Sequence, residues 1–263
     1  MRRPRMPWRR LAPALTVAVT TAAAGLAAAS PASAAFILVN CPAQNLQTAI
    51  NNAAAGDTLL VRGTCVGNFT IGKSLSLVGS SGATLNGNNA GRTLTVNGPT
   101  TVRVSLTALT LTGGTADNGG GLFNNGATLT LSNSTVRNNT AAEAGGGIAN
   151  FLGVTTVNST TVHDNTSKYG GGIAIGPGEA TGATVFRSTV RNNTATQLGG
   201  GILGFGHARV VGSTITANTA QGGPLSGGGI YNFSNMTLFG NSITANNPND
   251  CSSTTPLPGC TTV

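Results

Sequence analysis

The sequence predicts an all-β protein folded as a single parallel β-helix (a β-solenoid) of about eight turns, behind an N-terminal capping helix. Three observations predict it. Gly accounts for 39 of the 263 residues, while charged residues make up 8% and aromatics 4%; ordinary domains carry about 7% Gly and about 25% charge. A motif recurs six times with a spacing of 25 to 28 residues. Inside each copy, apolar residues alternate with Thr, which is the period of a strand. An apolar content of 39% excludes a solvated disordered chain, and the Gly residues lack the strict three-residue period of collagen.

The first element is a leader over residues 1–34. Arg2, Arg3, Arg5, Arg9 and Arg10 form a basic segment, Leu11 to Ala29 is an Ala/Leu/Val stretch, and Ala32-Ser33-Ala34 supplies a small-residue cleavage site. These are the three parts of a secretory signal peptide, so the protein is expected outside the cell or on its surface. Once the leader is removed, no run of about 18 apolar residues remains and no membrane span is expected. Its loss also rewrites the charge. Five of the 14 basic residues leave and all six acids stay, so a formal +8 becomes +3. That charge, spread thinly and without interleaved aromatics, excludes nucleic acid as a partner.

A cap is expected over residues 35–66. Leu46, Ala49, Ile50 and Ala53 have the spacing of one helical face, and Gly56 stops the run before a strand beginning near Asp57. A solenoid end exposes unpaired strand edges, so a covering helix belongs there. The four Cys permit three pairings, and proximity favours Cys41 with Cys65 and Cys251 with Cys260. No His or further Cys stands beside them at ligand spacing, so neither a metal site nor a cofactor is expected.

The repeats occupy residues 67–250. Gly triplets followed by an apolar residue end at Leu122, Ile148, Ile173, Ile202 and Ile230, and between them lie Val136-Arg137-Asn138-Asn139, Val162-His163-Asp164-Asn165, Val190-Arg191-Asn192-Asn193, Ile215-Thr216-Ala217-Asn218 and Ile243-Thr244-Ala245-Asn246. Leu111 leads a degenerate earlier copy. A period in this range means stacked supersecondary units, and Thr, Val and Ile closed by Gly or Asn make those units strands. Aligning the copies gives columns. Leu106, Leu131, Val157, Val185, Val210 and Leu238 fall inside, and Thr110, Thr135, Thr161, Thr189, Thr214 and Ser242 fall on the solvent side. Asn139, Asn165, Asn193, Asn218 and Asn246 form a ladder at a tight turn, where Asn tolerates left-handed angles and stacked amides bond one another. Three strands per turn are expected, with the Gly triplets at corners. Residues 251–263, with Pro256, Pro258 and two Cys, form a blunt tail.

Leu46 to Gly87, with its helix, its Gly-Asp-Thr step and the strands that follow, resembles the opening of bacterial right-handed parallel β-helix proteins of the pectin-lyase-like superfamily. The Gly-Gly-Gly-Ile and Val/Ile-x-x-Asn copies are similar to the repeats of polymorphic outer-membrane proteins. The likeness spans roughly residues 36 to 250 and implies a right-handed coil and an extracellular life. It implies little about activity, because such repeats occur in enzymes and adhesins alike. The polymorphic proteins usually carry a C-terminal barrel, for which this chain leaves no room.

Catalytic β-helices resemble one another in clustering acids and bases on one face of adjacent turns. Here Asp57, Asp117, Glu143, Glu179 and Asp250 are scattered, and no two acids share a column in neighbouring turns, whereas glycoside hydrolysis needs a carboxylate pair. One constellation stands out: Arg137, His163 and Arg191 share a column in three consecutive turns, with Asp164 beside them. Such a column suits an anionic glycan. Thr110-Leu111-Thr112 and Thr214-Ile215-Thr216 have the form of an ice-binding array, which the same Arg–His–Arg column interrupts. Tyr169 and Tyr231 occupy unlike positions and form no sugar-stacking track, and the Asn-x-Ser/Thr sequons follow from turn chemistry. The expected function is therefore a secreted or surface-associated, non-catalytic binding or adhesion module for a glycan-like ligand such as an extracellular polysaccharide. The alternative is a polysaccharide lyase or glycoside hydrolase of the pectin-lyase-like superfamily acting on an acidic polysaccharide.

Overall fold

A computed structural model describes residues 33–177 and 182–260. The leader, apart from its last two residues, and Glu179 lie outside the described residues. Among those described, no helix is long and apolar enough to cross a membrane.

The described chain coils as a parallel β-solenoid of about eight turns, one strand per turn contributing to an eight-stranded sheet. Each full turn holds four strands rather than the three read from sequence. One turn runs Leu122–Asn125, Thr128–Ser132, Thr135–Arg137 and Thr140–Ala144. The extra strand arises because the stretch between two Gly triplets bends twice. Left-handed residues stand at 133, 159 and 187, and again at 138, 164 and 192. A three-residue strand is left between the two bends. In the first turns the earlier bend, with left-handed residues at Gly63, Ser81 and Gly82, does not interrupt the strand. There β2 (Thr58–Val66) and β4 (Leu75–Asn86), with β3 (Phe69–Ile71) between them in the chain, run long, and β4 pairs at one end with Arg103–Thr107 and at the other with Thr110–Thr112. Two faces thus fuse into one 15-stranded sheet; the third and fourth faces are the five-stranded and eight-stranded sheets.

The inward column Leu106, Leu131, Val157, Val185 and Val210 is fully buried, as are the strand leaders Leu111, Val136, Val162, Val190 and Ile215. Leu238, in the last turn, is half-buried. Burying a Val or Leu contributes about 1.5–3 kcal/mol, so each turn carries its own share of the core and passes stability only to its neighbours.

The Gly triplets answer two demands. Their first members, Gly119, Gly145, Gly170, Gly199 and Gly227, take φ of +61° to +68°, which is corner geometry. The other members have ordinary φ but no room: a Cβ on Gly171 would stand 2.5 Å from the backbone oxygens of Gly200 and Thr194. The turns touch through bare backbone there.

At the N-terminal end, β1 (Phe36–Asn40) pairs in parallel with β2 and is joined to it by the Cys41–Cys65 disulfide. Helix α1 (Leu46–Asn52) buries Leu46 and Ile50. Asn45 caps it by accepting from the Thr48 N–H at 2.9 Å, and the Lys73 ammonium donates to the C-terminal carbonyls of Asn51 and Ala53 at 2.9 and 2.6 Å. Cys251–Cys260 ties down the tail, where Cys251–Ser253 adds the last strand of the eight-stranded sheet.

Candidate functional site

The short strands Thr110–Thr112, Thr135–Arg137, Thr161–His163, Thr189–Arg191, Thr214–Thr216 and Ser242–Thr244 stack in register. The first five bury their middle residue, Ile243 in the last is half-buried, and all turn the outer two toward solvent, which is why a Thr-Val-Arg triplet suits the position. One outward column reads Thr112, Arg137, His163, Arg191, Thr216, Thr244; the other is Thr or Ser throughout. Adjacent rungs lie about 4.8 Å apart, so two guanidinium groups and the imidazole between them line up along the solenoid axis within a hydroxyl-rich face.

Asp164 occupies a left-handed corner, φ +55°, a conformation Asp and Asn tolerate better than most residues. From there its Oδ2 lies 2.6 Å from His163 Nδ1. This contact fixes the ring, whose side chain is only 14% exposed, and leaves Nε2 as the ring nitrogen without a partner among the described residues. Neither Arg137 nor Arg191 has a hydrogen-bonding or ionic partner among the described residues. An open groove of about 810 Å³ lies elsewhere, lined by none of the three column residues.

The acids are engaged with their neighbours. Asp57 is buried and accepts the backbone N–H of Ala35 and Ala54 at 2.8 and 2.7 Å. Glu143 pairs with Lys168 at 3.1 Å, and that hydrogen bond holds the Lys168 ammonium above its ordinary pKa. Asp250 accepts from Asn246 at 2.8 Å. Asp117 acts on the Arg92 guanidinium, which burial lowers and Asp117 raises in turn. Arg92 itself is a staple: it donates to the carbonyls of Asn118 and Gly119 and lies 4.6 Å over the Phe123 ring. No group of three His, Cys, Asp or Glu side chains able to hold a metal ion gathers among the described residues.

Two polar ladders support the site from beneath. Each of Asn139, Asn165, Asn193 and Asn218 donates its amide to the next Asn Oδ1 at 2.9–3.0 Å, and Asp250 receives the last amide, that of Asn246. The left-handed residue is not the ladder Asn but the one before it: Asn138, Asp164, Asn192, Ala217 and Ala245. The ladder residue must point inward to bond, so the preceding residue makes the bend. At the other bend the backbone N–H of Ser134, Thr160 and Ser188 donate to the hydroxyls of Thr160, Ser188 and Ser213, at 3.3, 3.1 and 3.1 Å. Sequence reading missed this hydroxyl ladder because Ser134, Thr160, Ser188 and Ser213 look like any exposed strand residue.

Also missed was a second His–Arg pair. His207 and Arg209 alternate on one strand, both exposed, and line the open groove with Thr184, Thr237 and Phe233. The signal was present in the His-Ala-Arg-Val alternation, which puts both on the outer face. Phe233 in turn stacks on Phe205 at 4.3 Å and lies 4.8 Å from the Tyr231 ring.

No protein-family model matches the chain, and no curated protein or solved structure matches it either.

Proposed function

We propose that the protein is a secreted, non-catalytic binding module that holds an anionic glycan along the Arg137–His163–Arg191 column. The observation that carries this reading is the register of those three side chains on adjacent rungs, with both Arg residues half-buried on the outer side and without a partner among the described residues. A carboxylate or sulfate on successive sugars meets a donor at each rung, and Arg presents a planar fork suited to such groups. Thr135, Thr161 and Thr189 supply hydroxyls alongside. The engagement of Asp57, Glu143, Asp164 and Asp250 in structural contacts speaks for binding rather than paired-carboxylate hydrolysis. The leader pattern and the two disulfides support export to an oxidising compartment, and the resemblance to pectin-lyase-like β-helix proteins fits an extracellular polysaccharide partner.

The test is retention on immobilised polyuronate and on a neutral glucan. The protein should be held by the first, released by salt, and lose about tenfold or more of its affinity when Arg137 and Arg191 are both changed to Ala. Equal retention on both matrices, or no loss in the double variant, refutes the reading. Release of unsaturated uronate from the polymer would instead assign the protein to the lyases.

A further inference from the structure

The two N-terminal sheet edges are treated differently. β3 ends the eight-stranded sheet, and its outer edge is covered: Gln47 of α1 accepts the Thr70 N–H at 2.8 Å and donates to the Thr70 carbonyl at 3.1 Å. The side-chain amide stands in for a further strand. β1, the edge of the long sheet, has no such cover along most of its length.

The orientation of its backbone follows from two bonds. The Ala35 carbonyl accepts from Thr58 and the Cys41 N–H donates to Arg62. In a parallel ladder alternate residues turn to the same neighbour, so 35, 37, 39 and 41 face β2 and 36, 38 and 40 face away. Asn40 confirms the alternation, since its N–H and C=O are both taken by Gln44, at 2.7 and 2.8 Å. Phe36 and Leu38 keep theirs free. Their side chains are also exposed, Phe36 at 85% and Leu38 at 41%, beside Leu60 and Val78. A five-residue edge of Phe-Ile-Leu-Val-Asn carries none of the charges or prolines that usually blunt such edges.

We propose that β1 is a self-association edge, pairing antiparallel with β1 of a second copy of this chain across a two-fold axis at Ile37. That register places Phe36 opposite the other copy's residue 38 and Leu38 opposite its residue 36. All four free N–H groups then meet all four free carbonyls in two hydrogen-bonded pairs. Each Phe36 side chain lies directly over the opposing Leu38 side chain on the outer face, the cross-strand contact that stabilises sheets. A two-fold interface meets itself, so like charges would repel; the cleft between β1 and α1 is lined by Ile37, Leu38, Gln44, Asn45, Thr48 and their uncharged neighbours. Gln44 ends the pairing at Asn40 and keeps it short.

Sedimentation of the purified protein from about 10 μM to about 1 mM reads the association. The mass should double with concentration. Leu38→Lys should abolish the doubling and Phe36→Pro should weaken it at least tenfold, because that N–H serves only the second copy. Thr156→Lys, outward on the same sheet but distant from the edge, should leave it unchanged. Hydrogen exchange at the Phe36 and Leu38 amides should slow at least tenfold at high concentration in the unaltered protein, which reads the edge without any substitution. A monomer throughout, which would leave the edge to a strand of another protein, overturns the proposal. So does a dimer that Leu38→Lys leaves intact.

Discussion

Asn193 shows how much one side chain carries. Its amide donates to Asn218 and to the Val162 carbonyl at 2.9 and 3.0 Å, and its oxygen accepts from the Asn165 backbone and side chain at 3.1 and 3.0 Å. All of this is buried. Each buried group left unpaired costs about 1–3 kcal/mol, so Asn193→Ala should lower unfolding free energy by about 3–5 kcal/mol in denaturant titration. Asn193→Asp, similar in shape but without the donor, should not rescue it. A loss under 1 kcal/mol would mean that water replaces the ladder. The ladder positions were legible because Asn recurs at one offset from an apolar leader. Which residue bends the backbone was not, since Asn138-Asn139 and Asn192-Asn193 offer the same side chain twice.

At the scale of the element, glycines that look alike differ in what they prevent. Gly171 would bring a Cβ to 2.5 Å from backbone oxygens of the adjoining strands, whereas Gly240, at φ +61°, has nothing within 4 Å. Ala already occupies the equivalent left-handed corner at 108, and left-handed corners of the other bend at 217 and 245. Gly240→Ala should therefore cost about 1–2 kcal/mol, while Gly171→Ala must push turns apart and should cost about 3 kcal/mol or more. Equal shifts in the two melting curves would contradict this. Sequence periodicity gave the strands and the triplets their places. It missed the fourth strand per turn because a three-residue strand between two bends leaves only one apolar residue, Val136 or Val162, as its mark.

Across the whole molecule, stability passes along one dimension, and the ends must be closed. The Cys41–Cys65 bridge closes a 24-residue span, for which chain entropy gives about 3.5 kcal/mol. Replacing both Cys by Ser should lower stability by about that much and speed amide exchange first over Thr58–Val66. The central rungs around Val162 should keep their protection. Uniform loss along the chain would indicate a single cooperative unit rather than stacked ones.

The sequence by itself determined the solenoid, its inward columns and the shared column of Arg137, His163 and Arg191, because identical offsets in successive copies must stack. Tertiary structure decided what offsets cannot express. Thr160 and Thr161 are adjacent and chemically identical, yet one is buried in a hydroxyl ladder and the other faces outward. Asp250 looked isolated and ends the Asn ladder. Phe36 and Leu38 read as ordinary strand residues and stand at an open edge. In each case the deciding quantity is the direction of a backbone group at a bend or an end, set by the neighbouring turn rather than by the residue itself.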